Sequence, residues 1–171
     1  TTTTTPADRA AYVHAGATLA IDATGGTVTF EDPVAGPGTL EIVGGALAVP
    51  GGISPETKLK VGAQGAFEWR SALTLARLET ENGAELRFTD TAEILTVSGE
   101  VSLAGVTLRA PESAFDSLSR QTRVLVADSI SGLPVFICGN RRGQATVKTR
   151  EDGKMELWLL PRCPLLIRFV R

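Results

Sequence analysis

The feature that most constrains this chain is a short apolar pattern that returns every 19 or 20 residues. Copies of an apolar–any–apolar triplet occupy residues 47–49, 67–69, 86–88 and 106–108, at steps of 20, 19 and 20 residues. A second ladder, out of phase with the first, steps by 19 residues through Leu40, Leu59, Leu78 and Val97. Two ladders with one period predict a solenoid, in which successive coils of the chain stack on one another.

Each triplet has the period-2 pattern of a β-strand with one buried face. Small residues precede most copies, and glycine lets the backbone turn a corner at positive φ. A third, weaker apolar series supplies a third face: Ile53, Leu73, Leu75 and Ile94. A sandwich of hairpins also has short strands, but it would not keep one period over four copies. We therefore predict an all-β fold, a parallel β-helix of about five coils, right-handed by the usual crossover preference.

The positions predicted to face outward agree with this register. Opposite charges are expected on adjacent rungs, at Glu41, Lys60 and Glu79 and at Glu68 and Arg87. Among the apolar positions, Trp69 is expected to be buried between Val49 and Phe88.

The chain is expected to divide into an N-terminal arm or linker (residues 1–12), coils (13–110) and a C-terminal cap (111–171). Four strands predicted at residues 124–127, 134–138, 145–149 and 154–160 would form an antiparallel cap, because the last rung of a solenoid exposes unpaired backbone. The N-terminal rung should also be covered, either by the Thr-rich arm or by a preceding coil or neighbouring chain. The apolar tail 165–170 either docks within its own cap or mediates self-association.

Composition favours an exported structural protein. The net charge is −2, which gives no general case for nucleic-acid binding, and no transmembrane stretch is visible. We therefore expect no nucleic-acid partner and no membrane span. Charge is uneven, however: residues 1–138 carry 9 basic and 16 acidic groups, whereas residues 139–171 carry 8 and 3. This asymmetry marks either an interaction surface or a solvated cap.

No set of candidate catalytic groups clusters in the sequence. Glu31 and Asp32 are an adjacent acidic pair near a loop, Glu79 and Glu81 lie among alternating charges, and His14 has no partner in view. Motifs for phosphate binding, nucleophilic catalysis and metal ligation are absent from the sequence. We expect no catalytic residue, no cofactor and no metal. The alternative is a carbohydrate-active enzyme, because polysaccharide lyases and hydrolases also use β-helices.

Two residue pairs near the C-terminus are candidates for other roles. Arg141 and Arg142 lie between Gly139 and Gly143, and they form either a contact for an anion or glycan carboxylate or a charged hairpin tip. Cys138 and Cys163 are the only cysteines. In an exported protein they would form a disulfide; the alternative is two buried, reduced thiols.

Several segments resemble a known family. The Gly-Ala-x-Leu-x-Ile/Phe units at residues 16–21 and 83–88 resemble autotransporter-associated β-strand repeats of bacterial surface and secreted proteins. Residues 122–132 and 152–157 look like the C-terminal module that often follows such repeats. The resemblance implies a right-handed β-helix, export, no catalytic residues and a role in adhesion or display. We therefore expect a non-catalytic structural or adhesive module, secreted or at the bacterial cell surface, with self-association or a surface glycan as its partner.

Overall fold

The computed structural model describes residues 2–4, 11–92 and 94–161. Its strands, numbered in chain order, are β1 (Thr2–Thr4), β2 (Thr18–Thr29), β3 (Thr39–Ala48), β4 (Lys58–Trp69), β5 (Leu73–Leu75), β6 (Arg77–Thr80), β7 (Glu85–Phe88), β8 (Leu95–Ser102), β9 (Thr107–Ala110), β10 (Thr122–Ser131), β11 (Val135–Cys138), β12 (Arg141–Arg142), β13 (Gln144–Thr149) and β14 (Met155–Leu160). A 3₁₀ turn at Glu112–Ala114 follows β9. No helix in the described ranges is long and apolar enough to cross a membrane.

Parallel strands stack into a β-solenoid of about four turns. One sheet has the order β1-β2-β3-β4-β7-β9-β11-β12, with β6 also paired to β4. Every pairing in this sheet is parallel except the last, between β11 and β12. The prediction of an all-β parallel β-helix is confirmed.

The first apolar ladder forms one continuous column in this sheet. Successive rungs pair Val28, Leu47, Phe67, Leu86 and Leu108 at steps of 19, 20, 19 and 22 residues. The predicted fourth triplet was therefore wrong by two residues, because Leu86 pairs with Leu108 and not with Val106. The stack has about four turns, against the prediction of about five coils.

A longer loop after β7 explains the change of step. The chain takes seven residues from Phe88 to Leu95 but only four from Trp69 to Leu73. The next rung of the second sheet consequently pairs Leu73 with Leu95, again 22 residues apart. The last step of the second predicted ladder was also wrong: Val97 pairs with Leu75 instead of Leu78.

The second sheet joins the solenoid to its C-terminal cap. Its strand order is β13-β14-β10-β8-β5. Strands β5, β8 and β10 are parallel, whereas β10, β14 and β13 are antiparallel. Strands β10 and β11 both lie in the segment expected to be the cap (111–171), yet each adds to the solenoid in parallel. The antiparallel strands that close the structure are β12, β13 and β14.

Aromatic side chains fill the centre of the coils. Trp69 is fully buried and its ring stacks on Phe88, with the centroids 5.4 Å apart. Phe115, which follows the 3₁₀ turn, lies between Phe88 and Phe136 at 5.8 and 5.9 Å. The burial of Trp69 beside Phe88 is as predicted.

At the N-terminal end, β1 pairs in parallel with the last residues of β2, with Thr2 opposite Thr27 and Thr4 opposite Thr29. The arm therefore covers this part of the first rung, which confirms one of the predicted alternatives. The apolar tail 165–170 and Cys163 lie outside the described residues, so docking of the tail and the disulfide stay predictions.

Candidate functional site

The predicted pair Arg141–Arg142 forms the short strand β12, which returns antiparallel along β11. Gly139 opens the return with a φ of +57°, a conformation that glycine adopts without steric cost. Both arginine side chains are exposed. Arg142 is paired with Ile137 and Arg141 with Cys138. Because Cys138 is a buried, inward-facing residue, Arg142 is the member of the pair that belongs to the outward side of the sheet.

Strand register places Arg142 in line with two further arginines. Arg87 pairs with Arg109, Arg109 with Ile137, and Ile137 with Arg142. The neighbouring residues Leu86 and Leu108 are buried, so this line faces outward. We call Arg87, Arg109 and Arg142 the arginine column. The predicted register placed Thr107 beside Arg87, and for this reason Arg109 was missed from sequence.

Glu85 holds two members of the arginine column. The Nε groups of Arg87 and Arg109 donate to its Oε1 at 2.5 and 3.1 Å. A guanidinium carries five N–H donors, and neither guanidinium group makes another hydrogen bond to a described residue. Glu85 therefore orients both groups through one N–H each and leaves the remaining donors available.

A pocket of about 290 Å³ lies beside Arg87 and Arg109. Its lining also includes Glu68, Thr89, Ala110, Pro111 and Gly139. Glu68 is engaged by Arg70, whose Nε lies 2.6 Å from its Oε1. The pocket thus combines two oriented cations with a mostly apolar lining, close to the lower size limit of small-molecule sites.

A larger groove of about 530 Å³ lies on the outer side of the second sheet. Thr74, Thr96 and Val126 follow one another across its strands. Three cations line this groove, and each has a carboxylate partner: Arg123 with Glu156 at 2.7 Å, Arg150 with Asp152 at 3.3 Å and Lys154 with Asp128 at 3.6 Å. The charges of the groove are therefore balanced within the protein.

Glu156 anchors this network and is the one charged residue that is buried among the described residues, at 7% exposure. Its carboxylate accepts hydrogen bonds from Arg123 Nη1 at 2.7 Å and from Trp158 Nε1 at 2.9 Å. Burial raises the pKa of the Glu156 carboxyl, but these hydrogen bonds and the charges of Arg123 and Arg150 outweigh it and hold the pKa below its ordinary value. Glu156 is thus kept ionised, as a structural carboxylate.

Ion pairs on the outward side of β3, β4 and β6 agree in part with the predicted register. Lys60 Nζ lies 2.7 Å from Glu41, as expected, and these contacts raise the pKa of Lys60. Lys60 also lies 3.5 Å from Glu81. Glu79 does sit one rung from Lys60, but its ion pair is with Arg77 at 2.8 Å.

Glu68 and Arg87 are likewise one rung apart, as predicted, yet each forms its ion pair within its own strand segment. The Glu68 carboxylate pairs with Arg70, and the Arg87 guanidinium pairs with Glu85. The register predicted from the repeat therefore identifies these neighbours correctly, but it does not determine which of several nearby carboxylates an arginine pairs with.

The remaining residues weighed for chemistry do not converge in the structure. His14 is exposed and its ring packs against Tyr12, with the centroids 4.8 Å apart. Within the described ranges, no group of three or more His, Cys, Asp and Glu is placed to hold a metal ion. Cys138 is buried at 2% exposure, on the inner side of β11.

No family model, curated protein or solved structure matches this chain. The resemblance to autotransporter-associated repeats thus rests on the residues quoted for it, chiefly 16–21 and 83–88. In the structure these two segments occupy different positions of the coil: Leu19 pairs with Leu40 in the first part of β3, whereas Leu86 pairs with Phe67 in the second part of β4.

Proposed function

We propose that this chain is a non-catalytic structural and adhesive module of a secreted or cell-surface bacterial protein. The observation that carries the proposal is the arginine column, a row of cations on the outer face of a stacked solenoid, in which Arg109 and Arg142 are exposed and Arg87 is partly exposed. Adhesion uses such extended outer surfaces, whereas an enzyme needs a concave site with convergent groups of perturbed pKa.

The carboxylates near the described grooves favour binding over catalysis. A glycosidase needs a general acid whose pKa is raised. The buried Glu156 instead has a lowered pKa, and Glu85 and Glu68 are engaged by arginines. These carboxylates are therefore suited to orienting cations and not to delivering protons.

The proposed location outside the cell rests on the Thr- and Gly-rich composition and on the family resemblance. Both features are shared by exported β-helix proteins, in which stacking of many short strands builds a long surface from a modest core. The single His and the small number of aromatic residues are consistent with a scaffold.

A polysaccharide panel tests the proposal against its alternative. The chain is incubated with soluble acidic and neutral polysaccharides, and both retention of the protein and release of reducing ends or unsaturated products are measured. We expect retention on at least one polysaccharide without product. Product release would overturn the proposal in favour of a lyase or hydrolase, and lack of retention on every polysaccharide contradicts a glycan-adhesive role.

A further inference from the structure

We infer that the arginine column and its pocket bind the carboxylates of a linear acidic polysaccharide. The inference rests on the proposed adhesive function and names the chemistry of its ligand. The ligand is a chain of uronic-acid type, in which carboxylates recur along a stiff backbone of sugar rings.

Oriented guanidinium groups provide the first element of recognition. Arg87 and Arg109 are one rung apart, roughly 4.8 Å in a β-sheet, and Glu85 fixes both through Nε. The planar guanidinium matches a carboxylate with two parallel N–H donors, and pre-orientation reduces the entropy lost on binding. Glu85 neutralises only one of the two charges, so the pair keeps a net attraction for an anion.

The pocket supplies the second element, a surface for the sugar ring. Ala110, Pro111 and Gly139 line it together with the two arginines. A sugar ring has apolar C–H faces besides its hydroxyl and carboxylate groups, so it can rest on such a lining while its carboxylate reaches the cations. A free inorganic anion would leave this lining unused.

Arg142 supplies the third element, because its position indicates the direction in which a bound polymer runs. It lies two rungs beyond Arg109 in the same column, roughly 10 Å away at the usual strand spacing. A polymer that runs along the stacking axis of the solenoid therefore meets a further exposed cation beyond the pocket. This arrangement suits a chain with repeated carboxylates better than a single acidic sugar.

Nucleic acid fits this surface less well. The aromatic rings next to the column, Trp69 and Phe88, are buried and so offer no platform for base stacking.

Sodium polygalacturonate is the probe, and its affinity for the full chain is measured by titration calorimetry at low and at physiological salt. We expect the double variant R87Q/R109Q to bind about tenfold more weakly or worse, because two charge-assisted contacts are lost. Arg77→Gln is the matched control: Arg77 is also ion-paired with a carboxylate two residues away, Glu79, but on β6, outside the column. It should bind within about twofold of wild type, since it only changes net charge at a distance.

Arg142→Gln tests the direction of the ligand and should weaken binding of the polymer as well. Unchanged thermal unfolding midpoints establish that the variants fold. Equal losses in R77Q and R87Q/R109Q, no loss in R87Q/R109Q, or an unchanged affinity in R142Q contradict the inference. Tighter binding of duplex or single-stranded DNA than of polygalacturonate at equal salt overturns it in favour of nucleic acid.

The inference and the proposed function fail in different ways. Retention on neutral dextran or xylan by wild type and variants alike overturns the acidic-polymer site and leaves the adhesive function standing. Release of unsaturated or reducing products from polygalacturonate overturns the non-catalytic function itself.

Discussion

Five aromatic rings connect successive coils through the core: Phe67, Trp69, Phe88, Phe115 and Phe136. Trp69 has ring neighbours on both sides and is fully buried. Replacing it by alanine should lower the free energy of unfolding by about 3–5 kcal/mol, because the cavity cannot close between stacked rungs. Tyr12→Ala is the control, since that aromatic side chain is 57% exposed. A Trp69→Ala midpoint in denaturant equal to that of Tyr12→Ala would contradict the proposed packing.

A second residue-level prediction concerns Glu156 and pH. Its folded-state pKa lies below the ordinary value of 4.5, so the ionised carboxylate stabilises the fold. This stabilisation is complete above the unfolded-state pKa and is lost as the pH falls through the folded-state pKa. Glu156→Gln should therefore cost about 1–3 kcal/mol at pH 7, and the difference from wild type should shrink in acid.

Glu151→Gln serves as the control for Glu156→Gln, because Glu151 is exposed in the adjacent turn. Both variants and wild type are compared by denaturant unfolding between pH 7 and pH 3. A Glu156→Gln deficit that stays constant over this range argues against an ionised, hydrogen-bonded carboxylate.

At this scale the sequence predicted buried residues better than surface partners. Trp69 follows from the ladder, since burial depends only on which face of the strand a residue occupies. The arginine column does not, because Arg109 reaches Arg87 only through the 22-residue step. Arg142 was recognised from its Gly-flanked loop, but its alignment with Arg87 and Arg109 depends on strand pairing.

At the scale of the elements, two glycines distinguish the cost of an unusual backbone conformation from the cost of a clash between coils. Gly25 in β2 and Gly45 in β3 have nearly equal φ angles, +77° and +75°. A Cβ at Gly25 would meet nothing within 4 Å, whereas a Cβ at Gly45 would collide with the carbonyl oxygen of Ala23 on the preceding coil.

Gly25→Ala should therefore cost only the strain of a left-handed alanine, about 1–2 kcal/mol. Gly45→Ala should cost about 1–3 kcal/mol more, because the coils must move apart. Denaturant unfolding of the two variants measures this difference directly. Equal losses would indicate that the coils do not approach each other closely at this turn.

The sequence predicted where strands occur better than it predicted which strands they pair with. The strands predicted at 145–149 and 154–160 are present as β13 and β14, joined antiparallel. Those at 124–127 and 134–138 are also present, as β10 and β11, but they pair in parallel with β8 and β9. Alternation of apolar residues identifies a strand, but it does not specify whether the neighbour is an earlier coil or the next hairpin.

For the whole molecule, the repeat was sufficient to predict the architecture because stacking gives every coil the same environment. The repeat no longer predicted the strand pairing correctly after residues 89–94, which lengthen one coil. The length of such a loop cannot be predicted from apolar periodicity, because the loop has none. The proposed function follows from neither ladder. It depends on which exposed side chains the register brings into one line.

The register of the stack is the central claim, because both the buried aromatic core and the arginine column depend on it. Amide-edited NOE spectroscopy on the unmodified chain tests it most directly. We predict interstrand contacts between Thr74 and Thr96 and between Arg87 and Arg109, with the amide-to-Hα pattern of parallel strands. Contacts from Arg87 to Thr107 in its place, or close Hα–Hα pairs between β7 and β9, would contradict the stacked 22-residue coil.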